Sequence, residues 1–149
     1  MTIEVVAIDT ADTFALRRSV LRDGDPDANV AWDEDTWPGT LHLGIRIDGE
    51  LVGTSTWIPR GMPGDVDATG SWQLRGMATA HGRRGGGLGG ILVEAGCQRC
   101  AGAGGRLVWA RARDAALGFY VAHAFEVVGD GFVDATTQLP HHLVRRAVA

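Results

Sequence analysis

Apolar positions along the chain recur with period two in some stretches and near 3.6 in others, and the switches between them mark out the elements. Ile3 to Ile8 reads as a strand, and Asp12 is placed to cap a helix running to about Leu21. Arg22 to Pro38 keeps neither period and reads as a long loop. Leu41, Leu43, Ile45 and Ile47 then alternate with His42, Gly44 and Arg46. Asp48-Gly49 makes a tight turn and Leu51 to Trp57 returns, which is a hairpin pattern. Pro59 to Gly70 reads as a loop, and Trp72 to Thr79 as a fourth strand.

Leu88, Ile91, Leu92 and Ala95 sit at helical spacing and predict a helix from Leu88 to about Ala103, stopped by Gly104-Gly105. Arg106 to Ala112 reads as a fifth strand. Asp114 can cap a short helix bearing Ala116, Phe119, Tyr120 and His123 at i, i+3, i+4 and i+7. Phe125 to Val128 reads as a short strand, and Leu143 to Val148 as a last one after a turn at Pro140. Early antiparallel strands and a strand–helix–strand unit with parallel strands and a right-handed crossover follow. The expectation is a mixed α/β or α+β sheet in one domain over residues 1–149.

Composition narrows the class. At 149 residues and 45% hydrophobic the chain can bury one core. A net charge of −4 and a pI near 5.6 argue against general nucleic-acid binding. No stretch is apolar for long enough to cross a membrane, and Met1-Thr2-Ile3-Glu4 lacks the pattern of a signal peptide, so a cytoplasmic protein is expected. Cys97 and Cys100 form a CxxC late in the central helix. A redox pair wants a helix N-terminus, and a zinc site would need two more ligands, for which only His141 and His142 cluster. The plain reading is two small residues packed one turn apart, with no metal site.

The run Arg83-Arg84-Gly85-Gly86-Gly87-Leu88-Gly89-Gly90 carries the most chemistry. Its glycines let the backbone bend tightly and a ligand approach the amides. They open a helix, whose start offers unpaired N–H groups and partial positive charge, and two arginines precede it. Together these suit a phosphate-bearing ligand. A P-loop ends in Gly-Lys-Ser/Thr, and this chain has no lysine. A dinucleotide fingerprint is formally met by Gly85, Gly87 and Gly90. It wants an acid at the end of the next strand, and residues 106–112 contain none.

A third pattern, Arg-x-x-Gly-x-Gly, is met by Arg84, Gly87 and Gly89. Here the chain resembles the GNAT superfamily of N-acetyltransferases. Residues 74–79 and 84–92 look like that family's fourth strand and acetyl-CoA loop. Residues 113–120, followed by Ala124-Phe125, look like its later Asn/Arg, Ala, Phe-Tyr, Gly-Phe segment. The resemblance extends over nearly the whole chain. It departs at Ala124, where the family usually has glycine, and at Arg113, where many members have asparagine.

The resemblance implies a mostly antiparallel sheet of six or seven strands flanked by helices, with parallel strands 4 and 5 splayed. It implies acetyl-CoA as co-substrate, its pyrophosphate on Arg83, Arg84 and the amides of Gly85, Gly86, Gly87, Leu88, Gly89 and Gly90. Met77, Ala78 and Thr79 would offer backbone groups to the pantetheine arm and thioester oxygen, with Phe119 also at the coenzyme. Tyr120, the only tyrosine, would protonate the departing thiolate.

The acceptor would be a small-molecule or peptide amine, and a homodimer is open. Its amine must lose a proton, for which His42, the acids of the 23–35 loop, His141 and His142 are candidates. Six of the 18 acids lie between Asp23 and Asp35, either drawing a cationic amine or simply solvated. Trp32, Trp37, Trp57 and Trp72 are candidates to line a pocket, although Trp57 and Trp72 fit packing against a helix and Trp109 fits the core. The rival from another class is a coenzyme-A-binding sensor or scaffold without turnover.

Overall fold

Seven strands and three α-helices are present in the computed structural model, which describes residues 1–148. The strands are β1 (Ile3–Ala7), β2 (Leu41–Ile47), β3 (Glu50–Ile58), β4 (Ser71–Thr79), β5 (Leu107–Arg113), β6 (Glu126–Val133) and β7 (Pro140–Ala147). The helices are α1 (Phe14–Leu16), α2 (Leu88–Gly102) and α3 (Leu117–Ala122). The sheet order is β1-β2-β3-β4-β5-β7-β6. The chain packs as two compact units, Met1–Pro59 with Leu74–Gly96, and Arg60–Gln73 with the chain from Cys97 onward.

In the first unit the alternation read from the sequence becomes an antiparallel ladder, β1 on β2 and β2 on β3. Leu43, Ile45, Trp57, Ile58, Leu92 and Val93 are fully buried there. Trp57 lies against Gly96 of α2, where an added methyl carbon would fall 1.8 Å from Trp57 Cζ2. Glycine inside a helix weakens it, and here the close approach of an indole is what requires it. Trp57 therefore packs as expected.

The first helical segment differs from its prediction. It opens as a 3₁₀ turn at Thr10–Thr13, passes through α1 and widens into a π turn at Arg17–Leu21. Asp12 lies inside the first turn and accepts from the Asp9 amide at 3.1 Å, so Asp9 occupies the cap position. The π turn carries Arg17, which is 1% exposed. Its guanidinium makes two 2.8 Å bonds to the Asp35 carboxylate and donates to the Val30 carbonyl and the Thr56 hydroxyl. The predicted 22–38 loop is thus fastened from inside, and it contains a 3₁₀ turn at Asp33–Thr36.

In the second unit β4 pairs with β5 in parallel at Ser71↔Leu107, Trp72↔Val108 and Gln73↔Trp109, and the ladder stops there. β5 keeps its antiparallel pairing to β7 through Arg113↔His141. The final hairpin is longer than predicted. β6 extends to Val133, and Pro140 begins β7 instead of turning before it, a position where proline's missing N–H does no harm. Trp109 is fully buried, as expected for the core. Trp72 packs near Gly105, immediately past α2.

Candidate active site

The glycine run sits where the spacing placed it. His81–Arg83 forms a 3₁₀ turn, Gly85 and Gly87 adopt left-handed φ of +82° and +78°, and α2 begins at Leu88. The Gly87 carbonyl accepts the first helical bond, from the Ile91 amide at 3.2 Å. The amides of Leu88, Gly89 and Gly90 thus belong to the first turn, which has no earlier helical carbonyls to bond. Arg83 to Gly87 are exposed, whereas Leu88 is buried and anchors the turn to the unit. A methyl carbon added at Gly85 or Gly87 would touch nothing within 4 Å. Backbone conformation and not crowding demands glycine at these two positions. The donor set, two cations before a helix start with open approach, fits a diphosphate.

The same unit holds Met77, Ala78 and Thr79 at the end of β4, with Ala78 buried and its neighbours half-buried. Just before them Gly76 takes φ +66°, a kink inside a strand. Trp32 lies against this kink: a methyl carbon at Gly76 would be 2.4 Å from Trp32 Cη2. The guanidinium carbons of Arg17 and Arg75 lie 3.6 and 3.9 Å from the Trp32 ring centroid, and Arg75 pairs with Glu34. The acidic loop therefore divides. Asp23, Asp25, Asp27 and Asp33 are exposed, while Glu34 and Asp35 are buried in ion pairs.

Tyr120 and Phe119 lie on α3 in the second unit. The Tyr120 ring is 8% exposed and meets Phe119 and Phe125 edge to face, with centroids 5.3 and 5.2 Å away. Its hydroxyl has no hydrogen-bond partner among the described residues. Burial pushes the phenol pKa up to about 12. The group is thus a proton holder across the neutral range, and it is not a base.

Of the candidate bases, His42 is excluded by its surroundings. It is 6% exposed, with Nδ1 2.8 Å from the Thr56 hydroxyl and Nε2 3.0 Å from the Thr10 hydroxyl. Burial and, secondarily, the Arg17 charge hold its pKa below the usual value despite Asp35. It is a buried imidazole held by hydrogen bonds on both ring nitrogens. His141 is also buried, stacked on Phe132, with Nδ1 2.9 Å from the Leu139 carbonyl. His142 is half-buried and its Nδ1 lies 2.6 Å from Asp114 Oδ1. Neither the Arg17–Asp35 pair nor the Trp32–Gly76 contact is legible in the sequence, because both depend on the loop's fold.

Cys97 and Cys100 are buried, reduced thiols; burial and then Cys97 push the Cys100 pKa up to about 12, which keeps it an inert thiol. No His/Cys/Asp/Glu group suited to a metal ion occurs among the described residues, and no helix there is long and apolar enough to cross a membrane.

A mixed seven-stranded sheet with a short parallel β4–β5 pair, a glycine turn opening α2 and a buried tyrosine on α3 define an acyltransferase class. The acetyltransferase (GNAT) family model matches residues 8–125, and the chain belongs to that family. It is an acyl-CoA-dependent N-acyltransferase. The chain is 31% identical over 130 residues to an uncharacterized N-acetyltransferase, YitI, of Bacillus subtilis (strain 168), covering 87% of each. In fold it is similar to a putative N-acetyltransferase from Lactobacillus plantarum, with TM-score 0.78 and 15% identity over all of both chains. It is also similar to an aminoglycoside 6'-N-acetyltransferase complexed with coenzyme A, with TM-score 0.73 and 16% identity over 98% of this chain and 97% of that one.

Proposed function

We propose that the protein transfers the acetyl group of acetyl-CoA directly to a primary amine, on a small-molecule or peptide acceptor in the cytoplasm. The observation that carries this reading is the turn into α2, where left-handed Gly85 and Gly87 present first-turn amides beside exposed Arg83 and Arg84. The coenzyme A bound by the similarly folded aminoglycoside enzyme supports the choice of ligand.

In this reading the amides of Gly85 to Gly90 and the two arginines hold the pyrophosphate. Backbone groups of Met77, Ala78 and Thr79 align the pantetheine arm and stabilise charge developing on the thioester oxygen. Phe119 packs at the coenzyme. The amine nitrogen attacks the carbonyl carbon, the C–S bond breaks, and Tyr120 gives its phenolic proton to the departing sulfur. The nitrogen releases its proton to water, and water returns one to the Tyr120 oxygen, which restores the phenol. Positioning supplies most of the rate, because the two reactants are held together in one orientation.

Thiol release from acetyl-CoA over a panel of primary amines tests the reading. Amine-dependent release is the expected result. Acetyl-CoA binding with no release from any amine would leave the chain as a coenzyme-binding module and overturn catalysis.

A further inference from the structure

Resting on that acyl-transfer reading, we propose that one face of β5, with Arg60, receives an anionic group on the acceptor, so that the amine acylated carries a carboxylate or phosphate. The site is built where the β4–β5 ladder ends, at Gln73↔Trp109. Trp109 is fully buried and its Nε1 donates to the Arg60 carbonyl at 2.8 Å. The Arg60 guanidinium in turn donates to Gln73 Oε1 at 2.9 Å, and Gln73 is itself buried. The Arg60 backbone and side chain are thus both fixed over the last paired residues.

Strand alternation puts Arg111 and Arg113 on the same face as Trp109. The Arg111 guanidinium carbon lies 5.2 Å from the Trp109 ring centroid. Both arginines are exposed, and their partners across β7 are Leu143 and His141, neither of them acidic. His141 is turned to the Leu139 carbonyl and the Phe132 ring.

Two arginines of this unit are neutralised, Arg106 by Asp65 at 3.3 Å and Arg145 by Glu126 at 2.5 Å. Arg111 and Arg113 have no carboxylate partner among the described residues. In a chain of net charge −4, two unneutralised guanidiniums on one strand face, beside a third that is held in place, form a receptor for an oxyanion. The pyrophosphate of the coenzyme has its own donors at the α2 turn, so this face is assigned to the acceptor.

Matched amines test the assignment: β-alanine against propylamine, and phosphoethanolamine against ethanolamine, read by thiol release and by calorimetric binding to the coenzyme-A-saturated protein. The anionic member of a pair is expected to bind about 10- to 100-fold more tightly, the range of a charge-assisted contact. Arg111→Gln should erase that preference and leave acetyl-CoA affinity unchanged; Arg111 is exposed, so folding is not at stake. Equal binding of both members by the unaltered protein overturns the proposal. So does a loss of acetyl-CoA affinity in R111Q, which would place a coenzyme phosphate on this face. Anion-dependent binding that R111Q removes, without thiol release from any amine, would uphold the anion site while the transfer reading alone fails.

Discussion

The Phe125 amide donates to the Tyr120 carbonyl at 3.0 Å, and the two rings meet edge to face with centroids 5.2 Å apart. With the Ala124 amide on the Val121 carbonyl at 3.2 Å, this is the paired-bond closure of a helix C-terminus with its accompanying apolar contact. It fixes the one tyrosine from its own backbone. The closure requires a left-handed residue, and Ala124 supplies it at φ +66°. At the end of α2 the equivalent bonds run from Gly105 to Cys100 and from Gly104 to Ala101, and the left-handed residue there is Gly104, at φ +87°.

Ala124→Gly is therefore expected to stabilise the protein. Relief of the left-handed alanine is worth about 1 kcal/mol, partly offset by the freer unfolded chain. The melting temperature should rise by roughly 1–4 °C, measured by calorimetry. A fall would show that the closure holds Ala124 without strain.

Two glycines of α2 should respond oppositely to alanine. At Gly96 the new methyl collides with the Trp57 ring, and a loss of about 1–3 kcal/mol or more is expected. At Gly102 nothing lies within 4 Å, and alanine's helix propensity should give a gain of up to about 1 kcal/mol. Urea unfolding of both variants measures the contrast.

Tyr120→Phe should lower kcat by about 10²–10⁴-fold with acetyl-CoA binding retained, read by single-turnover kinetics and calorimetry. With its pKa pushed up to about 12, the phenol keeps its proton through pH 10. The rate is expected to climb as the acceptor amine deprotonates, with no falling limb from Tyr120 below that pH. Unchanged kcat in the variant would remove the acid role.

Acid should loosen the first unit in two stages. His42 has a folded pKa below its unfolded value of 6.5, so it favours the folded state above that pH and is lost as pH falls through the folded value. Asp35 behaves similarly from its unfolded 3.8 downward. Its burial alone would raise the pKa, but Arg17 and the Trp32 amide outweigh that effect. Denaturant midpoints should fall as the pH drops below 6.5, and His42→Gln should flatten that slope. An unchanged slope in the variant assigns the effect to other groups.

Alanine at Gly85 or Gly87 should weaken acetyl-CoA binding about tenfold or more, since a left-handed alanine costs about 1–2 kcal/mol and the turn relaxes away from its ligand geometry. Equilibrium dialysis measures this, and unaltered affinity would move the diphosphate elsewhere.

Much of this was legible in the chain because it is local. The β2–β3 alternation, the Asp48-Gly49 turn and the glycine stop of α2 are properties of a few neighbouring residues. The glycine turn was legible because left-handed positions tolerate few other residues. What could not be read depends on distant partners: Arg17 finding Asp35, His42 buried between two threonine hydroxyls, and Trp32 resting on Gly76. The first helical segment departs from the expectation at Asp12 because two aspartates three apart can each fill the cap, and a hydrogen bond between them decides which does. Pro140 reads as a turn in the sequence because its tolerance of a first strand position depends on β6 extending to pair with it.

Strand β6 is the outermost strand at its end of the sheet. Its ladder to β7 is interrupted between Val128 and Phe132, with Gly129 at φ +69° and charged Asp130 in the gap. The free rim of the sheet therefore never offers a long straight template, although Val127 and Val133 are exposed along it. A second chain cannot extend the sheet in register past the break, which protects this apolar rim from fibrillar growth.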